Sequence, residues 1–254
     1  MPHVRAAGHR LDCERIAADR PGTRPIVLLH EGLGSISMWR DFPQQVAGTT
    51  GHEVLVYSRY GYGHSDRLAA PRNVRYMHDE ALIALPELLD ALGIERPILL
   101  GHSDGASIAI IHAGAADRSV AGLVLMAPHV IVEDLSVESI AAARTAYETS
   151  DLGARLARHH DDVEGVFRGW NDIWLDPAFR AWNIEEYLPR ITSPILVIQG
   201  LDDEYGTLDQ VDRIERTARD VQRLELADCG HSPHRDQPEK VLDAITTFIA
   251  RIDR

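Results

Sequence analysis

Residues 97–115, PILLGHSDGASIAIIHAGA, hold the stretch that decides the fold. Four apolar residues run into Gly101-His102-Ser103-Asp104-Gly105, and a helix-like apolar segment follows. The pattern is G-x-S-x-G between strand and helix. Chemistry explains the residue types. A serine on a sharp, strained turn stands exposed above a sheet, and flanking glycines remove Cβ atoms that would collide with the neighbouring strand and helix. The following helix directs its N-terminal N–H groups at the serine, where they favour developing negative charge.

Outward from this turn, similar apolar runs recur. Ile26–His30 (IVLLH), Val54–Ser58 (VLVYS), Gly122–Ala127 (GLVLMA) and Pro194–Gly200 (PILVIQG) are short, rich in Val, Ile and Leu, and closed by turn signals. Continuous runs of this length suit strands covered on both faces. Between them lie helical stripes. Met77, Ala81, Leu82, Leu85, Leu88, Leu89 and Leu92 form one, with Pro86 predicting a kink or a late start. Val241, Leu242, Ile245, Phe248, Ile249 and Ile252 form another, opened by Pro238. The alternation predicts an α/β protein with a doubly wound, mostly parallel sheet flanked by helices. From Glu133 to Arg190 no strand is evident, and three of the four tryptophans (Trp170, Trp174 and Trp182) fall there. A connection that long is read as an inserted helical lid. Residues 1–132 and 191–254 then form the core, and 133–190 the cap.

A serine nucleophile needs a base, and the base needs an orienting group. Gly200-Leu201-Asp202-Asp203 closes one strand. Cys229-Gly230-His231-Ser232 follows the strand-like run Val221–Leu226. The chain order is therefore Ser103, Asp203, His231, one of three orders known for such sites.

The sequence resembles the α/β-hydrolase fold superfamily over nearly its whole length. The resemblance rests on LLHEGLGS at 28–35, YSRYGYGHSD at 57–66, LLGHSDGA at 99–106, PILVIQGLDD at 194–203 and DCGHSPHRDQP at 228–238. It implies Ser103 as nucleophile, His231 as general base and Asp203, three residues after Gly200, as the acid. Asp202 reads as a solvated loop carboxylate. The oxyanion hole needs two N–H donors. One is expected from Asp104. The other is expected from the loop after His30, where Glu31 interrupts the family's His-Gly-x pattern and leaves Gly32 or Leu33 as donor. The Tyr60–Asp66 loop reads as structural packing beside the site.

The implied activity is a serine hydrolase that cleaves a small carboxylic ester through an acyl-enzyme. Thioester, lactone, amide and carbon–carbon bond cleavage use the same triad, and a ligand-binding protein of this fold is the non-enzymatic alternative. Trp170 and Trp174 share a helix face, as lid core or as a pocket wall. Asp104 and Glu31 carry two open readings. Either both carboxylates flank the reacting centre and favour cationic or neutral substrates, or both turn away to backbone or to an arginine such as Arg59.

Composition narrows the partners. The 254 residues carry a net charge of −13, which opposes nucleic-acid binding. No apolar stretch is long enough to span a membrane, and MPHVRAAGHR has no apolar segment of a secretory signal. Cys13 and Cys229 make no disulfide framework, and Cys229 reads as a small buried residue. His159 and His160 are adjacent and diverge on a helix, so no metal and no cofactor are expected. The expectation is a cytoplasmic protein acting on a small molecule. Nothing in the pattern specifies an oligomeric state.

Overall fold

A computed structural model describes residues 3–17, 19–20 and 22–254. Met1 and Pro2, with which the expected core and the N-terminal reading begin, lie outside the described residues. Eight strands form one sheet: β1 (His3–Ala6), β2 (His9–Ile16), β3 (Ile26–Leu29), β4 (Val54–Tyr57), β5 (Ile98–His102), β6 (Gly122–Met126), β7 (Ile195–Gly200) and β8 (Val221–Leu226). Their spatial order is β1-β2-β4-β3-β5-β6-β7-β8. β1 pairs antiparallel with β2, and β2 antiparallel with β4. All further neighbours are parallel.

The apolar runs become central strands because both faces are covered. Every residue of β3, β4, β5, β6 and β7 is buried. Side chains alternate between two cores. Val27, Leu29, Leu99 and Val197 face one, and Ile26, Leu28, Leu100 and Ile198 the other. Each such residue contributes about 1.5–3 kcal/mol by leaving water. Helices Phe42–Thr50 and Pro238–Ile252 cover the second face. The long stripe around Leu85 and helices Asp104–Ala115 and Leu208–Thr217 cover the first.

Pro86 produces no simple kink. A π-helical stretch, Glu80–Ala84, immediately precedes the α-helix Leu85–Ala91, and Leu85 N–H reaches back to Glu80 O. The wider turn accommodates a ring that would otherwise collide with a carbonyl one turn earlier.

Between β6 and β7 the chain forms helices Asp134–Thr149, Leu152–Leu156 and Val163–Trp174, then two 3₁₀ segments, Pro177–Ala181 and Glu185–Arg190. The bridge Ile131–Asn183 draws the ends of this insertion together. No helix among the described residues is long and apolar enough to cross a membrane.

The order reverses where β3 lies between β4 and β5. In open parallel sheets such a switch point leaves a crevice at the carboxyl ends of the strands. The loops after β3 and β5 open there.

Candidate active site

β5 delivers the chain into Ser103, and the helix Asp104–Ala115 begins at once. Ser103 has φ 53° and ψ −118°, a conformation rare for a residue with a side chain. Its N–H donates to Met126 O at 2.9 Å, which fixes the turn to β6. The glycines are required by space. A Cβ on Gly101 would lie 2.4 Å from Gly105 O, and one on Gly105 would lie 2.0 Å from Leu29 O.

Three sequence-predicted residues meet here. Ser103 Oγ donates to His231 Nε2 at 2.9 Å. His231 Nδ1–H donates to Asp203, 2.9 Å from both carboxylate oxygens. Asp203 is further held by Gln199 Nε2 and by the N–H groups of Tyr205 and Gly206. Asp202 is exposed, as a solvated loop carboxylate should be. Burial raises the Asp203 pKa, but the His231 hydrogen bond and charge outweigh it and bring the group down to about 2. For His231, burial disfavours the charged ring. The Asp203 hydrogen bond and charge more than offset this, so its pKa lies above the ordinary imidazole value. The serine thus faces an imidazole of enhanced basicity whose tautomer the carboxylate sets.

The loop after β3 is clamped by its carbonyls. Arg59 Nη2 donates to His30 O at 3.1 Å and to Glu31 O at 2.8 Å. Gly34 N–H closes a turn onto Glu31 O, and His160 Nε2–H donates to Leu33 O. The N–H groups of Gly32 and Leu33 donate to no other described residue. Trp170 packs over this loop so closely that a Cβ on Gly32 would lie 2.1 Å from its Nε1.

The two carboxylates left open by the sequence are both turned to protein partners. Asp104 is completely buried, accepts from Tyr76 O–H at 2.8 Å and lies 3.9 Å from Arg59 Nη2. Trp174 Nε1–H in turn donates to Tyr76 Oη at 3.0 Å. The Asp104 carboxylate therefore cannot select cationic substrates, because the site cannot reach it. Glu31 borders the cavity, but its oxygens lie 3.5 Å from His102 Nδ1 and 3.7 Å from Arg235 Nη2. Burial opposes its ionisation, and His102 and Arg235 overcome this, holding its pKa well below the carboxylate range. Asp104 thus follows the second reading, with Arg59 the arginine nearest it, whereas Glu31 stays at the cavity's border and is paired there with His102 and Arg235.

Above Ser103 lies a cavity of about 210 Å³. Trp170 and Trp174 wall it, together with Leu33, Ile140, Leu152 and Leu156. Both tryptophans are also nearly buried in the insertion's packing, so core and wall are the same residues. His129 and Tyr205 border the cavity too, and the sequence reading singled out neither. His129 stands just past the end of β6, beside β5; that position at the carboxyl edge of the sheet is the signal that points to it. The Tyr60–Asp66 loop packs as expected. Gly63 N–H donates to His160 Nδ1, and Ser65 Oγ–H to Ser58 O. Cys229 is buried, which pushes its thiol pKa up to about 11.

A neutral base beside a serine, oriented by a carboxylate, under an apolar cavity, is equipped for nucleophilic attack on a carbonyl. Comparison with known proteins agrees with this architecture. Residues 26–244 match the model of the alpha/beta hydrolase family. The "Putative carbamate hydrolase RutD" of Pseudomonas savastanoi pv. phaseolicola is 27% identical over 237 residues, covering 84% of this chain and 89% of that protein. The crystal structure of proline iminopeptidase from Mycobacterium smegmatis superposes with a TM-score of 0.81 at 21% identity, covering 99% and 98% of the two chains. A thermophilic esterase from Thermogutta terrifontis superposes with a TM-score of 0.74 at 20% identity, over the full length of both. The chain belongs to the alpha/beta hydrolase family, and it is a hydrolase.

Proposed function

We propose that this hydrolase is a serine esterase that cleaves a small carboxylic ester through an acyl-enzyme. The observation that carries the reading is the continuous hydrogen-bonded line Ser103–His231–Asp203. His231 takes the hydroxyl proton as Ser103 attacks the ester carbonyl. The N–H of Asp104, with that of Gly32 or Leu33, holds the oxyanion; such donors contribute several kcal/mol in the transition state. Protonated His231 then gives its proton to the leaving alcohol. Water, deprotonated by the same ring, cleaves the acyl-enzyme and restores Ser103. The insertion 133–190 acts as the cap that shapes the cavity and excludes water.

A mostly apolar cavity, whose one carboxylate, Glu31, is already paired, supports an ester first, since an alcohol leaves once His231 has given it a proton. Thioesters, lactones, amides and carbon–carbon bonds are cleaved by the same residues, and the relatives' names span carbamate and peptide chemistry. Fluorophosphonate labelling tests the reading: wild type takes one equivalent on Ser103, and Ser103→Ala takes none. A turnover screen over small esters, thioesters, lactones and amides then ranks the bonds. A Ser103→Ala variant retaining more than a few per cent of wild-type turnover would overturn the acyl-enzyme.

A further inference from the structure

His129 is a polar residue in an apolar wall that the proposed mechanism does not use. Only 3% of it is exposed. Its ring meets Trp174 edge to face at 5.2 Å and tilts over His231 at 5.7 Å between centroids. The Nδ1–Cε1 edge packs against Gly206, with Nδ1 3.5 Å from where a Cβ would stand. Nδ1 is buried without a partner. Nε2 has no hydrogen-bond partner among the described residues, but it is not sealed in: the ring borders the cavity that Ser103 and His231 also border. Burial, and then the neighbouring His231, push the His129 pKa down to about 3. The ring is therefore neutral, with one N–H and one lone pair to offer.

A polar atom such as Nε2, which opens only into a mostly apolar cavity and has no protein partner, costs free energy unless something there binds to it. Pockets of this kind use a few polar groups to orient a mostly apolar ligand. The cavity's size limits that ligand. About 210 Å³ exceeds the roughly 150 Å³ of an engineered cavity that admits benzene, so one ring-sized group with a substituent fits. Its charge is limited as well. Glu31 already has His102 and Arg235, and no Arg or Lys borders the cavity among the described residues.

We infer that His129 is a specificity-determining residue, whose Nε2 hydrogen-bonds a hydroxyl or amide carried by a neutral, ring-sized group of the substrate. This rests on the serine-hydrolase reading for its meaning but not for its test. A site built to pair with such a group discriminates against the analogue lacking it, because the site's own polar atom is then left unpaired.

The test is binding to the full chain, read by the change in tryptophan fluorescence, since two of the four tryptophans, Trp170 and Trp174, wall the cavity. The probes are phenylacetate-sized neutral compounds, each with one hydroxyl or primary amide at a different ring or side-chain position and each paired with its unsubstituted parent. Wild type is expected to bind at least one substituted compound about tenfold or more tightly than its parent. In His129→Leu that ratio falls to near one. In His129→Gln, which restores a hydrogen-bonding atom near the Nε2 position, a preference returns. A ratio is unaffected by uniform losses of affinity, and circular dichroism shows whether each variant is folded. Absence of any preference in wild type, or a preference that survives in folded His129→Leu, overturns the inference. Failure of wild type to label with fluorophosphonate sinks the serine-hydrolase reading instead, and leaves the binding ratio to decide on His129.

Discussion

At Ser103 the requirements of chemistry and of the backbone conflict, and the conflict is measurable. The residue sits at φ 53° and ψ −118°, where a Cβ is strained. Such strain costs about 1–3 kcal/mol. Glycine adopts the conformation freely but loses more entropy on folding, by roughly 0.5–1 kcal/mol. Ser103→Gly is therefore expected to be about 1 kcal/mol more stable than Ser103→Ala in urea, although the proposed mechanism leaves both without a nucleophile. Equal midpoints would limit the strain to the roughly 0.5–1 kcal/mol that glycine loses in entropy, and a less stable Ser103→Gly would mean that the turn stores none. The base allows a second prediction. The proposed acyl-enzyme route needs neutral His231, and Asp203 raises that ring's pKa in the folded protein. The acid limb of kcat/KM is thus expected to have its midpoint above pH 6.5, and Asp203→Asn should both lower it and cut the rate. A midpoint below 6.5 would contradict the raised pKa. All three of these residues are legible in the sequence, because each stands at a strand's end beside a glycine-marked turn. The direction of Asp104 is not legible. Its neighbour in the chain is Ser103, the proposed nucleophile, but its partners, Tyr76 and Arg59, both come from the connection between β4 and β5.

Among the elements, the parallel strands are plain in the sequence because double-sided burial leaves unbroken apolar runs. β1 and β2 leave no such run. β2 reads HRLDCERI, with only Leu11, Asp12 and Cys13 buried, as an antiparallel strand near the sheet's edge allows. The insertion is visible as a gap between strands, but its division is not. Phe179, Trp182, Ile184 and Leu188 belong to the same core as Leu29 and Ile108, so its last part is continuous with the sheet's covering. Arg59 shows how the loops depend on one another. It is fully buried, its guanidinium stacks 4.8 Å over Tyr62, and it binds the carbonyls after β3 while standing near Asp104 after β5. Removing one partner of a buried pair leaves an uncompensated charge and costs about 3–5 kcal/mol. Arg59→Met is expected to lose stability on that scale, with kcat falling more than KM rises because the loop after β3, the proposed source of an oxyanion donor, loses its clamp. Adding Asp104→Asn should recover part of the stability, with a coupling of about 0.5–3 kcal/mol in urea midpoints. Strict additivity would show that Asp104 is not the counter-charge of Arg59.

For the molecule as a whole, the thirteen histidines matter more than the net charge of −13. Their number is plain in the sequence, but their burial depends on which loops meet over the sheet. His30, His129, His160 and His234 are nearly inaccessible. Burial is the largest influence on each and lowers its pKa, to about 3 for His129 and about 4 for His160. Such rings are neutral in the folded state, whereas the unfolded chain protonates them below about pH 6.5. Their contribution is therefore complete above pH 6.5 and is lost as the pH falls. His231 has the opposite sign, since its raised pKa favours the folded state in acid, but it is one ring against these four and the equally buried His112, which burial also lowers. Each lowered ring removes about 1.4 kcal/mol per pH unit once its unfolded form is protonated. Four together remove roughly 8 kcal/mol by pH 5, comparable to the whole stability of an ordinary domain. Cooperative acid unfolding near pH 5 is the expected outcome, well above the range in which Asp203 would begin to protonate. His234 isolates one contribution. It packs among the rings of Trp39, Phe42 and His102, and both its nitrogens are buried without partners. Removing a buried, unpaired polar ring in favour of an apolar one costs little at neutral pH. His234→Leu should therefore match wild type to within about 1 kcal/mol at pH 8 and exceed its stability by about 2 kcal/mol at pH 5. Urea midpoints at half-unit pH steps read both curves, and parallel curves would show that His234 does not titrate on unfolding.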